Sequence, residues 1–282
     1  MKIIGDAQTL EASGAVVSIG MFDGVHRGHR RVLQTLRANG RRLGLPTVVV
    51  TFDPHPRAVL RPQCAPAMLA SLEDRIELLT LTGGADHCLV LSFDRRASEE
   101  SAHDFVRHTL VERLRMRALV VGDNFRCGHG RAGDIALLRT LGTELAFSVH
   151  PVALRSGSDS LAQPPCSSTE MRRLIQNGDI AAASAGLARP HEMTGVVSHL
   201  AERAARVIEV TLPHGMCTPA ADDYSGAVRN KHIASAWIPA LLQVRHESGL
   251  RPKTVRLVAS HDVPVVHGDV LALRFLERVS TL

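Results

Sequence analysis

The chain has 282 residues, 45% of them hydrophobic and 22% charged, with a formal net charge of +5. That length holds one large domain or two smaller ones, and the composition excludes a disordered or collagen-like chain. No apolar run approaches the ~20 residues that span a bilayer. Met1-Lys2-Ile3-Ile4-Gly5-Asp6 lacks the apolar stretch of a secretory signal, so a cytoplasmic protein with no membrane partner is expected.

The 33 basic residues are interspersed with 28 acidic ones, without a basic block, and aromatics make up only 3%. Nucleic acid is therefore not an expected partner; the positive charge suits phosphate-bearing substrates better. Cys64, Cys88, Cys127, Cys166 and Cys217 form no Cys-x-x-Cys pair, so neither a disulfide framework nor a zinc cage is indicated.

In chain order, residues 16–20, 47–52, 88–91 and 118–122 are short, nearly continuous apolar runs, as strands covered on both faces should be. Helical patterns lie between them. After Gly28, Val32, Leu33, Leu36 and Leu43 fall on one side. Ser71 with Asp74 reads as a cap for a helix with Leu72, Ile76 and Leu79 as its stripe. Ser98 reads as the cap of another, with Ala102, Phe105, Val106, Thr109 and Leu110 at helical spacing. Strand–helix alternation predicts an α/β, Rossmann-like parallel sheet with ligands at the strands' carboxyl ends. Residues 156–165 read as a surface loop. From about Pro190 the texture changes: 206–212, 254–258 and 269–276 read as short strands, which predicts a small, mostly antiparallel β-barrel. The division is placed at 1–187 and 188–282.

Four stretches carry chemistry. Gly20-Met21-Phe22-Asp23-Gly24-Val25-His26-Arg27-Gly28-His29 joins a strand to a helix through a glycine-rich turn. A helix N-terminus offers N–H groups and a positive dipole end to an anion, and two imidazoles there can donate to phosphate oxygens. Taken alone, the two histidines also read as ordinary helix-start residues or half a metal site. Thr51-Phe52-Asp53-Pro54-His55-Pro56 reads as a rigid extended turn that lines a pocket or serves only as a turn. Asp123-Asn124-Phe125-Arg126, followed by Gly128, His129, Gly130, Arg131 and Gly133, suits polyphosphate and base edges, or else is a solvated loop. Ser167-Ser168-Thr169-Glu170-Met171-Arg172 reads as a helix start, capped by Ser168 or Thr169, or as an anion site with Arg172 one turn on.

In this order the four motifs closely resemble those of prokaryotic bifunctional FAD synthetases, which join an FMN adenylyltransferase domain to a riboflavin kinase domain. The resemblance covers most of residues 15–195. It implies in-line attack of the FMN phosphate on the α-phosphorus of Mg2+-bound ATP, with His26, His29 and Arg172 as the catalytic groups. Gly20, Phe22, Asp23, Gly28, Asn124, Ser168 and Thr169 are implied for ATP. Phe52, Pro54, His55, Pro56, Asp123, Phe125 and Arg126 are implied for the acceptor. No protein side chain is assigned to metal; Mg2+ is expected on the ATP phosphates. Met171 stands where the family has isoleucine.

The second half departs from the family. Where the kinase carries Gly-x-Pro-Thr-Ala-Asn, this chain reads Leu200-Ala201-Glu202-Arg203-Ala204-Ala205-Arg206, and residues 255–261 offer no counterpart to the kinase's glutamate. Loss of riboflavin kinase activity is expected. Two alternatives follow: AMP or CMP transfer to a non-flavin phosphorylated acceptor, and a non-catalytic flavin- or nucleotide-binding protein.

Overall fold

The computed structural model describes residues 1–5, 8–154, 166–200, 207–233, 236–245 and 253–279. The chain divides into two units: Met1–Pro66 with Arg75–Cys166, and Ala67–Asp74 with Ser167–Leu282. The loop expected at 156–165 and the departure at 201–206 lie outside the described residues.

The first unit is built on an all-parallel sheet of β1 (Lys2–Ile4), β2 (Ala15–Ile19), β3 (Thr47–Asp53), β4 (His87–Ser92), β5 (Met116–Gly122) and β6 (Ser148–Val152), ordered β1-β4-β3-β2-β5-β6. The connecting helices are α1 (Arg27–Leu43), α2 (Pro56–Leu60), α3 (Leu72–Leu81), α4 (Arg95–Glu99), α5 (Ala102–Asp104) and α6 (Ile135–Glu144). α5 continues as a π-helix over Phe105–Arg113, and the first turn of α3 belongs to the second unit.

Alternation along the central strands explains their unbroken apolarity. Val17, Ile19, Val48, Val50, Leu119 and Val121 join Phe105, Leu110, Leu138 and Leu141 in one core. Val16, Val49, Ala118 and Val120 face the other way, onto Val32, Leu33, Leu36 and Leu79. Burying each large aliphatic side chain is worth about 1.5–3 kcal/mol, so the strand ends are fixed by a firm scaffold. β2 leads to β3 on one side, and the chain later returns to β5 on the other side of β2. That reversal between β2 and β5 is the switch point at which open α/β sheets bind ligands.

Several local readings are corrected. Ser98 lies inside α4, and Ser101 caps the following helix by accepting from Asp104 N. Leu43 is 38% exposed because the apolar face of α1 ends with the buried Asn39 and Gly40. The cap at Ser71 is present: its Oγ accepts from Asp74 N at 3.1 Å.

The second unit contains α7 (Ser168–Gln176), α8 (Ile180–Leu187) and a closed antiparallel barrel. Its strands are β7 (His191–Leu200), β8 (Val207–Thr211), β9 (Asp222–Asn230), β10 (Ile238–Arg245), β11 (Thr254–Ala259) and β12 (Val270–Arg278), ordered β10-β11-β8-β7-β12-β9. Inward residues Val210, Tyr224, Leu242, Leu257, Leu273 and Phe275 fill it. Gly226 is required where β9 meets β12, since a Cβ there would lie 2.3 Å from the Arg274 carbonyl oxygen. Ala67–Asp74 is hydrogen-bonded into this unit: Met68 N donates to Gly215 O at 2.7 Å, Cys217 N donates to Met68 O at 2.8 Å, and Asp74 Oδ1 accepts from Thr194 Oγ1 and Lys231 Nζ. The sequence texture divides the chain after Leu187, whereas α7 and α8 group with the barrel. Among the described residues no helix is long and apolar enough to cross a membrane.

Candidate active site

The loop from Gly20 to His26 leaves the carboxyl end of β2 and enters α1, which opens at Arg27 with His26 as its N-cap. The helix therefore starts two residues before His29. His26 Nδ1 accepts from the His29 backbone N–H at 3.3 Å. The two imidazoles stack, with centroids 3.7 Å apart and planes 18° from parallel. Phe22 tilts against His29 at 5.2 Å.

Phe22, Asp23 and His26 are buried beneath this surface. A Cβ on Gly28 would lie 3.1 Å from the Cys166 carbonyl oxygen and from His26 Nδ1, so the glycine lets the ring sit against the first helical turn. α1 has no acidic residue in its first turn. Helix N–H groups, dipole and paired imidazoles together present a donor-rich face suited to an anion.

The backbone of this loop is strained. Phe22 has φ 49°, Gly24 φ 74° and Val25 φ 40°; for a β-branched residue such as Val25 that conformation is an outlier. The Met21 carbonyl beside it accepts from Arg75 Nη1 at 3.0 Å and from Thr51 Oγ1 at 3.2 Å.

Phe52, the penultimate residue of β3, sets its ring edge-on to Phe93 at 5.9 Å. The predicted extended turn is shorter than expected: the Asp53–Pro54 peptide is cis, His55 caps α2 by accepting from Arg57 N, and Pro56 opens that helix. Proline suits this first position because its missing N–H has no intrahelical partner there.

The stretch after β5 forms a pocket of about 200 Å³ lined by Asp123, Asn124, Phe125, Arg126, Asp134, Ile135 and Ala136. Arg126 pairs with Asp134 at 3.5 Å, and Asp134 caps α6 by accepting from Leu137 N. That backbone hydrogen bond holds the Asp134 carboxyl below its ordinary value. Cys127 and Gly133 exchange two backbone hydrogen bonds, and His129 donates its N–H to Glu100 O at 2.8 Å, so the loop is pinned at its base. Burial pushes the Cys127 thiol up to about 11, which makes it a packing group and not a nucleophile.

The fourth motif lies in the second unit. Its cap is Ser167, whose Oγ accepts from Glu170 N at 3.2 Å, so Ser168 and Thr169 occupy the first turn of α7 and neither is the cap. Arg172 donates Nε–H to the Ala67 carbonyl at 2.6 Å.

The structure thus brings Phe22, His26, Gly28 and His29 into one cluster and places Asp123 to Arg126 around one pocket. Ser168, Thr169 and Arg172 share one helical turn. Among the described residues, no group of three or more His, Cys, Asp or Glu side chains is arranged to hold a metal. Arg75 was missed by sequence reading. Its signal was a charge at 75 on the face marked by Leu72 and Leu79, where an apolar residue would be expected.

The family model for FAD synthetase matches residues 8–163, more than half of the chain. The chain belongs to the FAD synthetase family. It is 37% identical over 203 residues to the bifunctional riboflavin kinase/FMN adenylyltransferase of Escherichia coli (strain K12), covering 71% of this chain and 63% of that protein. Against the protein of the same description from Pseudomonas fluorescens, identity is 39% over 190 residues, 67% of this chain and 59% of the relative. The chain therefore spans less than two thirds of the length of these relatives.

The fold is shared with the crystal structure of a macrolide-efflux protein from Streptococcus pneumoniae. The TM-score is 0.81 and the identity 20%, over 99% of this chain and 88% of that one. At that identity the likeness concerns fold alone.

Proposed function

We propose that this FAD synthetase family member transfers AMP from MgATP to the phosphate of FMN. An FMN phosphate oxygen attacks the α-phosphorus in line, the α–β bridging bond breaks, and pyrophosphate leaves as FAD forms. The observation that carries this reading is the stacked His26–His29 pair at the N-terminus of α1, beside the switch point of the sheet. Such donors act where negative charge builds on the α-phosphate, and positioning supplies most of the rest.

Gly20, Phe22, Asp23 and Gly28 shape the ATP side. Asn124 belongs with them by its motif, as do Ser168, Thr169 and Arg172. Phe52, Pro54, His55, Pro56, Asp123, Phe125 and Arg126 form the acceptor side. Mg2+ enters as part of the substrate on the ATP phosphates. We assign the transfer to residues 1–187 and no riboflavin kinase activity to residues 188–282.

A second reading is transfer to a non-flavin phosphate ester. It is favoured by the scarcity of stacking surface, since the Phe52 ring is already engaged edge-on with Phe93. Chromatography of the full chain with MgATP and FMN, riboflavin or other phosphate esters separates these readings. FAD is expected from FMN, and no FMN from riboflavin. Turnover of only a non-flavin ester moves the assignment to the second reading, and FMN production from riboflavin refutes the kinase loss.

A further inference from the structure

We propose that Arg75 is a positioning residue that holds the β2–α1 loop in its reactive shape and ties it to the turn after β3. The kinetic half of this proposal rests on the adenylyl-transfer reading; the conformational half does not. The Arg75 side chain is 1% exposed, on the same face of α3 as the fully buried Leu79. Its Nη1 donates to the Met21 carbonyl at 3.0 Å, and its Nη2 lies 3.7 Å from Asp53 Oδ1. One guanidinium thus reaches the backbone before the histidine pair and the last residue of β3.

Burying a charge is expensive, and an apolar side chain of similar volume often serves packing as well or better. Packing alone therefore gives little reason for arginine at this point. The loop supplies one. Phe22, Gly24 and Val25 all have positive φ, at 49°, 74° and 40°. Such conformations persist only where surrounding contacts over-determine them. Arg75 and Thr51 both fasten the carbonyl of Met21, immediately before the first strained residue. The ring of Phe22, the residue so oriented, then packs on His29. Releasing the Met21 carbonyl would let the loop relax and shift the imidazoles together with Phe22 and Asp23 on the ATP side.

The test compares wild type, Arg75→Met, Arg75→Lys and Thr51→Val in the full chain, by FAD formation and by amide hydrogen exchange over residues 20–29. Arg75→Met should lower kcat about 100-fold, with a much smaller rise in KM for ATP and KM for FMN little changed, as expected when groups that act in the transition state are displaced. Arg75→Lys, which keeps a donor, should recover most of that loss. Exchange over residues 20–29 should quicken about tenfold in Arg75→Met while the central strands stay protected. A folded Arg75→Met with wild-type kcat and unchanged exchange overturns the proposal. If Arg75→Met does not fold, Arg75→Lys and Thr51→Val decide, and wild-type exchange with wild-type kcat in both overturns it. If the wild type makes no FAD, the adenylyl-transfer reading fails and the exchange comparison alone decides the role of Arg75.

Discussion

The imidazoles of His26 and His29 stack face to face at 3.7 Å, and the first ring accepts a hydrogen bond from the backbone of the second. One residue is thus both helix cap and half of the donor pair. Replacing either histidine should separate the two roles. His29→Ala keeps the cap acceptor and removes a phosphate donor, so kcat should fall about 100- to 1,000-fold with little change in melting temperature. His26→Ala removes the cap as well and should also destabilise the first unit by about 1 kcal/mol. Steady-state kinetics with thermal melts checks both, and equal melting temperatures for the two variants would contradict the division of roles.

Gly28 tests how closely the ring is seated. Added Cβ atoms are tolerated in a helix interior, where alanine is favoured over glycine by about 1 kcal/mol. Here the methyl would press on His26 and on the Cys166 carbonyl at 3.1 Å. Gly28→Ala should therefore keep or raise stability while lowering kcat about tenfold through displaced imidazoles. Unchanged turnover would show that the ring has room to move.

Gly128 tests the pocket after β5. It has φ 70°, and a Cβ there would lie 2.4 Å from the backbone nitrogen of Ala102. Gly128→Ala should cost about 1–3 kcal/mol, because both conformation and space oppose it. It should also raise the KM for the acceptor, since the loop ending at Asp134 closes the pocket. Denaturant titration and substrate-dependence curves report the two effects.

The second unit has its own pH signature. Burial, with the Arg189 charge adding to it, lowers the His191 imidazole to about 3. The ring is neutral in the folded barrel, while the unfolded chain takes up a proton below its ordinary value of 6.5. Between pH 6.5 and 3 the unfolded state therefore binds more protons, and stability falls as pH falls, by about 1.4 kcal/mol per pH unit. Trp237, the single tryptophan, stacks under Arg274 at 3.8 Å, so its fluorescence reports this unit. Unfolding curves at pH 7, 6 and 5 should steepen their loss below pH 6.5, and His191→Leu should remove that slope. A slope retained in the variant would place the titration elsewhere.

Sequence periodicity revealed the four buried strands because each is covered on both faces. It missed β1, which has three residues, and β6, whose Ser148, His150 and Pro151 break the apolar run. An edge strand tolerates such residues, since one side of its ladder is unpaired. In the barrel, β8, β11 and β12 were legible. β9 was not: it carries Asp223 and Arg229 on its outer positions, begins with two consecutive aspartates, and has a glycine at its closest approach.

The site was legible wherever function requires particular residues in a contiguous stretch, as in the histidine loop and the loop from Asp123 to Arg126. Arg75 was not, because its partners Met21 and Asp53 lie far away in sequence. Local patterns cannot show a side chain that serves a distant loop. Capping was the other weak point: Ser167, Ser168 and Thr169 are all residue types that cap helices, and only backbone geometry selects Ser167.

The most direct test of adenylyl transfer is pyrophosphate release from MgATP by wild type and His29→Ala, with and without FMN. FMN-dependent pyrophosphate is expected from the wild type, matched mole for mole by FAD, and at least about 100-fold less from the variant. Pyrophosphate release that is independent of FMN, or equal in the two proteins, would contradict it.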